Sequence, residues 1–493
     1  MQTDIHQAPM LKYRISIRLA WLVLLLCICM QVKADKKIYL LADIHVMAPS
    51  LLDSSDNTAW KEDLANQRKM LDLSVPVFDQ LIERVITDKP DILFICGDLT
   101  KDGEIASHEY VINKLTKVKD AGIRVYVIPG NHDYGPMEEA RIYSNNSYTT
   151  AEGYSKEMFK EAYRDFGYGG NSEIHETSLS YCTELYPGLT LIGIDTGNVA
   201  HVTKSAIKWT WQKANEARDK GNQVITMAHH SLIPHIYGQE SFMLYSVINP
   251  NERVRDSLMS AGIKVILTGH YHISDNTKYV NNNGQTIYDI CTGSPISYPC
   301  DFRILSFGDR FRQLKITTET ITNIEGYDDF PNYAKRRLKE AFNRWANNWL
   351  TNYGVNEEMA KPISESVTKS FIIHAEGNEP ENPATADEVV FYDDLLALSS
   401  IFFEENDKKK IAEICRTMHS MLGDYPSDDD RDHLVDDREL TITMPDIPTG
   451  IHDTESRRDT DTRWYTLQGL LLNEMPSRPG IYINNNKITI IKP

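Results

Sequence analysis

The chain has 493 residues, 41% hydrophobic and 25% charged, enough for several domains at roughly 100–200 residues each. These proportions exclude a collagen-like or wholly disordered chain. With 70 acidic against 52 basic residues the formal net charge is −18, which argues against general nucleic-acid binding, because a phosphate backbone asks for clustered Lys and Arg.

At the N-terminus, Lys12, Arg14 and Arg18 precede an apolar run from Ala20 to Met30, and Val32-Lys33-Ala34 follows. A basic start, a short apolar run and small residues at the end read as an export signal over residues 1–34, removed before Asp35. The run is too short to span a bilayer, and no other stretch reads as transmembrane, so the mature chain is expected to lack a membrane helix. Cys27 and Cys29 follow Leu26 and Ile28 rather than small residues, which disfavours a lipoprotein anchor. The expected location is exported: periplasmic, cell-surface or secreted.

From there, short β-branched runs alternate with helical patterns. Strands are expected at residues 37–42, 91–96, 123–129, 190–194, 223–228, 264–268 and 287–291, with helices at 76–88, 105–121, 155–166, 203–219 and 251–261. Runs this apolar, separated by helices, predict strands covered on both faces in a layered α/β domain. A hairpin is expected from 302–307 and 311–317 around Gly308-Asp309. Further on, helical patterns recur at 332–350, 357–372, 388–403 and 407–422, an acidic stretch runs from Ser427 to Glu439, and residues 480–491 read as a hairpin around three asparagines. The expected organisation is a signal at 1–34, a layered α/β domain at 35–320 and a mostly helical region with a terminal hairpin at 321–493.

The chemistry lies in what ends each strand. Asp43-Ile44-His45 ends the first run, Gly97-Asp98 the second and Gly130-Asn131-His132-Asp133 the third; His229-His230 and Gly269-His270-Tyr271-His272 follow two later runs. In open α/β sheets the carboxyl ends of strands meet at one crevice, so these scattered segments can converge. Asp43, His45, Asp98, Asn131, His229, His270 and His272 offer oxygen and imidazole but no thiolate, a set suited to Mn, Fe or Zn rather than Ca. Seven ligands are too many for one ion that keeps an open position; they fit two, with one carboxylate bridging.

These ordered motifs resemble the calcineurin-like metallophosphoesterase superfamily, whose pattern is D-x-H, G-D, G-N-H-[DE], H and G-H-x-H. The resemblance implies a layered αββα fold and a centre of two divalent or mixed-valence ions. Asp43, His45, Asp98 and His272 would hold the first, and Asp98, Asn131, His229 and His270 the second. It also implies phosphoester hydrolysis by a metal-bridging hydroxide, with His132 reaching the phosphate or protonating the leaving oxygen. Ser/Thr phosphatases of this superfamily carry an Arg soon after the bridging Asp, and purple acid phosphatases a Tyr three positions after it; here the run is Asp98-Leu99-Thr100-Lys101. The segments Gly97–Glu104, Gly130–Asp133 and Thr177–Tyr181 are most similar to bacterial cyclic-nucleotide and glycerophosphodiester phosphodiesterases. The substrate expected is a small-molecule, lipid or nucleotide phosphodiester; a phosphomonoesterase and a non-catalytic surface binding protein are the alternatives.

Several residues carry open readings. His230 could orient His229, contact the phosphate or fill space. Asp133 could accept from His132 or form a turn. Asp195 reads as structural, while His108, His201 and His235 match no motif and read as surface or loop residues. Trp209 and Trp211 read as packing. Cys291 and Cys300 are close enough in sequence to pair in an oxidising compartment.

Overall fold

The computed structural model describes residues 36–135, 139–352, 354–377, 405–422 and 436–446, with Tyr392, Asp393, Leu395 and four short strands beyond residue 463. The segment 1–34 read as an export signal, the helix expected at 388–403 apart from those three residues, and most of the acidic stretch lie outside the described residues.

Two sheets form the body. The first has the order β15-β14-β13-β1-β2-β3, built from β1 (Lys36–Leu41), β2 (Ile92–Cys96), β3 (Arg124–Ile128), β13 (Asp301–Gly308), β14 (Gln313–Thr320) and β15 (Glu439–Thr443). The second has the order β11-β12-β10-β9-β8-β7-β6, from β6 (Glu173–Ile174), β7 (Tyr181–Tyr186), β8 (Leu189–Ile194), β9 (Gln223–Ala228), β10 (Val265–Thr268), β11 (Asp275–Val280) and β12 (Thr286–Cys291). A small hairpin of β4 (Arg141–Ser144) and β5 (Ser147–Thr150) stands apart from both.

Each sheet has a parallel centre: β1 with β2 and β3 in one, β8 with β9, β10 and β12 in the other. Strand periodicity shows why both faces had to be apolar. In β8 and β9, Leu189, Leu191, Ile225 and Met227 join the core shared with the first sheet. Their neighbours Ile192, Ile194, Val224 and Ala228 join a separate core with α5 (Lys204–Asp219) and α6 (Asn251–Ser260). On the far side, helices α2 (Ser74–Asp88) and α3 (Ile105–Asp120) cover the first sheet. In α2, Val77, Phe78, Leu81, Ile82 and Val85 fall on one face at helical spacing and are all buried. The result is the αββα layering expected of the resemblance. Shorter helices of this half are α1 (Thr58–Asn66), α4 (Lys156–Ala162) and a single turn at Gln239–Phe242.

The helical region is α7 (Phe330–Asn352), α8 (Glu357–Glu376) and α9 (Glu405–Ser420). Phe342, Phe371 and Met418 from these helices share one core with Tyr271 and Ile273 from the loop after β10. The chain then returns to the first sheet, where β15 pairs antiparallel with β14. Arg303 donates to the Asp437 carbonyl at 2.8 Å, and Arg438 pairs with Asp301 at 3.0 Å.

Residues 448–493 form a second compact unit. Its described strands β16 (Trp464–Thr466), β17 (Leu471–Leu472), β18 (Gly480–Asn484) and β19 (Lys487–Ile491) make an antiparallel sheet in the order β17-β16-β18-β19, and β18 with β19 is the hairpin expected around the asparagines. Among the described residues no helix is long and apolar enough to cross a membrane. Cys291 and Cys300 do not pair; both are free, buried thiols.

Candidate metal centre

All the expected site segments leave the carboxyl ends of parallel strands and meet between the two sheets. β1, β2 and β3 deliver Asp43 with His45, Asp98, and Asn131 with His132; β9 and β10 deliver His229 with His230, and His270 with His272. Asp43, His45, Asp98, His270 and His272 all have positive φ, between 40° and 68°. This region costs a residue with a Cβ on the order of 1–3 kcal/mol, and such strain persists where the surrounding structure over-determines it.

Glycines let the loops come this close. A Cβ on Gly130 would lie 2.1 Å from Asp98 Oδ1, and one on Gly269 would lie 2.7 Å from Asp43 Oδ2. The glycine before each ligand is therefore a matter of space.

Two groups of donor atoms result. In the first, His272 Nε2 lies 3.2 Å from His45 Nε2 and 3.3 Å from Asp43 Oδ1, and His45 Nε2 lies 3.5 Å from Asp98 Oδ2. In the second, Asn131 Oδ1 lies 3.0 Å from His229 Nε2 and 2.9 Å from His270 Nδ1. Asp98 Oδ2 also lies 3.3 Å from His229 Nε2, so one carboxylate oxygen faces both groups.

The chemistry of these contacts fits cations. His229 Nδ1 lies 2.8 Å from the Cys96 carbonyl, which can only accept. That contact places a proton on Nδ1 and turns the Nε2 lone pair of the neutral ring toward two oxygens. Asp43 Oδ1 is buried with no hydrogen-bond partner. Lone pairs converging in this way repel unless a positive charge lies among them. With only a proton to serve, burial lowers the His229 pKa but the adjacent Asp98 carboxylate prevails and raises it to about 9. Burial alone would raise the Asp98 pKa, yet His229, His132 and His45 hold it well below the usual range.

His230 stands beside the second group. Its Nδ1 is 2.7 Å from Thr196 Oγ1, its Nε2 is buried without a partner, and it offers a ring nitrogen within 4.8 Å of those of His229 and His270. Thr196 thus orients His230 beside the second group.

His132 is held by a residue that sequence reasoning missed. Its Nδ1 lies 2.8 Å from Asp102 Oδ1, while its backbone N–H donates to Asp98 Oδ1 at 2.9 Å. Burial opposes the charged ring, but Asp98 and Asp102 outweigh it and the His132 pKa is raised. Asp102 is in turn buried against Lys101, which also pairs with Asp63 at 3.4 Å. Asp133 has a different task from the acceptor role considered for it. Its carboxylate receives the backbone N–H groups of Thr100 at 3.0 Å and Gly130 at 2.8 Å, together with the Thr100 hydroxyl at 3.0 Å, and so staples the two ligand loops.

Asp195 accepts from Tyr134, Leu179 and Gly197, the structural role expected. His108 and His235 are not surface residues. Both are fully buried, His108 between the Tyr163 hydroxyl and the Asp133 carbonyl, His235 beside Asp275 at 3.2 Å. Lys69, also unmarked in the sequence, reaches 3.5 Å from His45 Nδ1 and has no carboxylate partner among the described residues.

Residues 36–274 match the family model for calcineurin-like phosphoesterases. No curated protein matches the chain. Among solved structures, the chain is similar to a dimetal phosphatase from Danio rerio, at 12% identity and a TM-score of 0.41, covering 58% of this chain and 97% of that one. It is also similar to a purple acid phosphatase from yellow lupin (Lupinus luteus) seeds, at 13% identity and a TM-score of 0.39, covering 60% of this chain and 53% of that one. With the motifs in order and the αββα layers around them, residues 36–274 belong to the calcineurin-like phosphoesterase family.

Proposed function

We propose that the protein is an exported, two-metal phosphoester hydrolase that favours diesters. The observation that carries this reading is the single oxygen, Asp98 Oδ2, lying within 3.5 Å of one imidazole in each group of donors. Asp43, His45, Asp98 and His272 would hold one cation, and Asp98, Asn131, His229 and His270 the other, with Mn, Fe or Zn fitting the donor set. Bound there, two cations supply Lewis acidity toward phosphoryl oxygens and lower the pKa of water.

The chain's own residues do the rest. Asp102 fixes the His132 ring through Nδ1 and leaves Nε2 clear of the carboxylate. Asp98 and Asp102 favour the protonated ring, from which a proton can pass to the departing ester oxygen. Lys69 adds a positive charge beside His45 that draws in the anionic substrate.

The diester preference is supported by the likeness of the loops around Asp98 and Asn131 to bacterial phosphodiesterases. A phosphomonoesterase is the second reading, favoured by the unpaired Lys69, because a monoester dianion gains more from an extra cation. Export is supported by the basic and apolar N-terminal sequence. The Mn²⁺-loaded protein should hydrolyse bis-(p-nitrophenyl) phosphate faster than p-nitrophenyl phosphate. Strong turnover of the monoester without the diester would establish the second reading instead.

A further inference from the structure

The helices after the second sheet close over a cavity beside the ligand loops. Phe342 and Trp349 of α7, Phe371 of α8 and Met418 of α9 form its walls, with Tyr271, the residue between His270 and His272. Its atom-free space is about 550 Å³, part of it open to solvent. Protein interiors are close-packed and leave few such voids, and an apolar void that persists takes apolar guests.

One part of the lining has a different chemistry. Arg68 borders the cavity, with its guanidinium 5.8 Å from the centre of the Trp345 ring, and that ring is 38% exposed. Among the described residues Arg68 has no carboxylate partner. The next residue, Lys69, reaches the candidate centre at His45. The cavity lining thus includes Tyr271 of the ligand loop and Arg68, whose chain neighbour Lys69 lies beside the candidate ligand His45.

We propose that the substrate is a phosphoester bearing a hydrocarbon chain, with the chain in this cavity and the phosphate at Lys69 and the candidate ligands. This rests on the phosphoester reading above and narrows it. The helical region then has a task, since three of its helices wall the slot. The apolar lining suits a hydrocarbon chain, and the two cations suit the charge at its head.

The test is a series of p-nitrophenyl alkyl phosphates, methyl to dodecyl, given below their micelle concentrations to the Mn²⁺-loaded full chain, with geranyl and decyl esters compared to tell branched prenyl from straight chains. Binding of methylphosphonate and dodecylphosphonate is measured in parallel by calorimetry. We expect kcat/KM to rise about three- to fourfold per methylene until the slot is full, and dodecylphosphonate to bind at least about 100-fold more tightly than methylphosphonate. Ala346→Trp and Val367→Phe, each adding bulk to the lining, should bring the long-chain values down toward the methyl values. Equal kcat/KM and equal binding along the series would overturn the chain proposal and leave hydrolysis standing. Chain-dependent phosphonate binding with no ester turned over would keep the cavity assignment and overturn the hydrolase reading.

Discussion

Asp102 Oδ1 lies 2.8 Å from His132 Nδ1, and this buried contact fixes which nitrogen of the imidazole faces away from the protein. The carboxylate is kept ionised because Lys101 and His132 outweigh the burial that would raise its pKa, so its pKa is lowered. Replacing Asp102 by Asn keeps the shape but removes the charge. Turnover should fall roughly 10- to 100-fold, and both metals should remain by elemental analysis. The pH profile should also change, because the His132 pKa would lose one of its supports. An Asp102→Asn enzyme with an unaltered profile would show that Asp102 serves packing alone.

Asp98 and His132 should separate under mutation. The Asp98 carboxylate faces both donor groups, so Asp98→Ala should abolish turnover and most of the bound metal. His132→Ala should lower turnover by about 10²–10⁴-fold while leaving two metals in place. Metal loss in the second variant would make His132 a ligand, and full activity in the first would remove the dinuclear assignment.

The alternation of apolar runs and helical patterns made the parallel strands β1, β2, β3, β8, β9, β10 and β12 readable to within a residue or two, because strands covered on both faces leave an unbroken apolar signal, whereas the antiparallel β6, β7 and β11 were not read. The ligand segments were readable for a related reason, as each is a polar break at the end of such a run. Asp102 was not readable. Its partner lies 30 positions away, and the neighbour Asp133 offered itself first. The return of β15 to β14 was equally hidden, since the pairing joins Leu440 to Ile316 across the helical region. The hairpin of β4 and β5 did leave a signal in Asn145-Asn146, both at positive φ as a tight primed turn requires. His108 left one too. It shares the buried face of α3 with Val111, Leu115 and Val118 at helical spacing.

Gly130 and Gly122 make a matched pair. A Cβ at Gly130 would lie 2.1 Å from Asp98 Oδ1 and 2.4 Å from its backbone nitrogen, whereas one at Gly122 meets nothing within 4 Å. Gly122→Ala should cost only the strain of its φ of +86°, about 1–2 kcal/mol, and keep its metals. Gly130→Ala must push the Asp98 loop aside, which should cost about 3 kcal/mol and much of the metal. Chemical denaturation with metal analysis reads both effects. Wild-type metal content in Gly130→Ala would show that the loops can separate freely.

His108 should make stability fall in acid. Its ring is buried between the Tyr163 hydroxyl at 2.8 Å and the Asp133 carbonyl at 2.7 Å, and burial lowers its pKa to about 3 despite the opposing carbonyl contact. The unfolded chain takes up this proton near pH 6.5 and the folded protein does not, so the unfolded state binds more protons between about pH 6.5 and 3. The contribution is therefore complete above pH 6.5 and is lost as the pH falls, by about 1.4 kcal/mol per unit at most. Urea titrations of the metal-free protein from pH 7.5 to 4.5 should show this slope, and His108→Gln should be less stable at neutral pH but flatter by one proton. Identical slopes in the two proteins would mean that His108 titrates normally and that the ring is open to water.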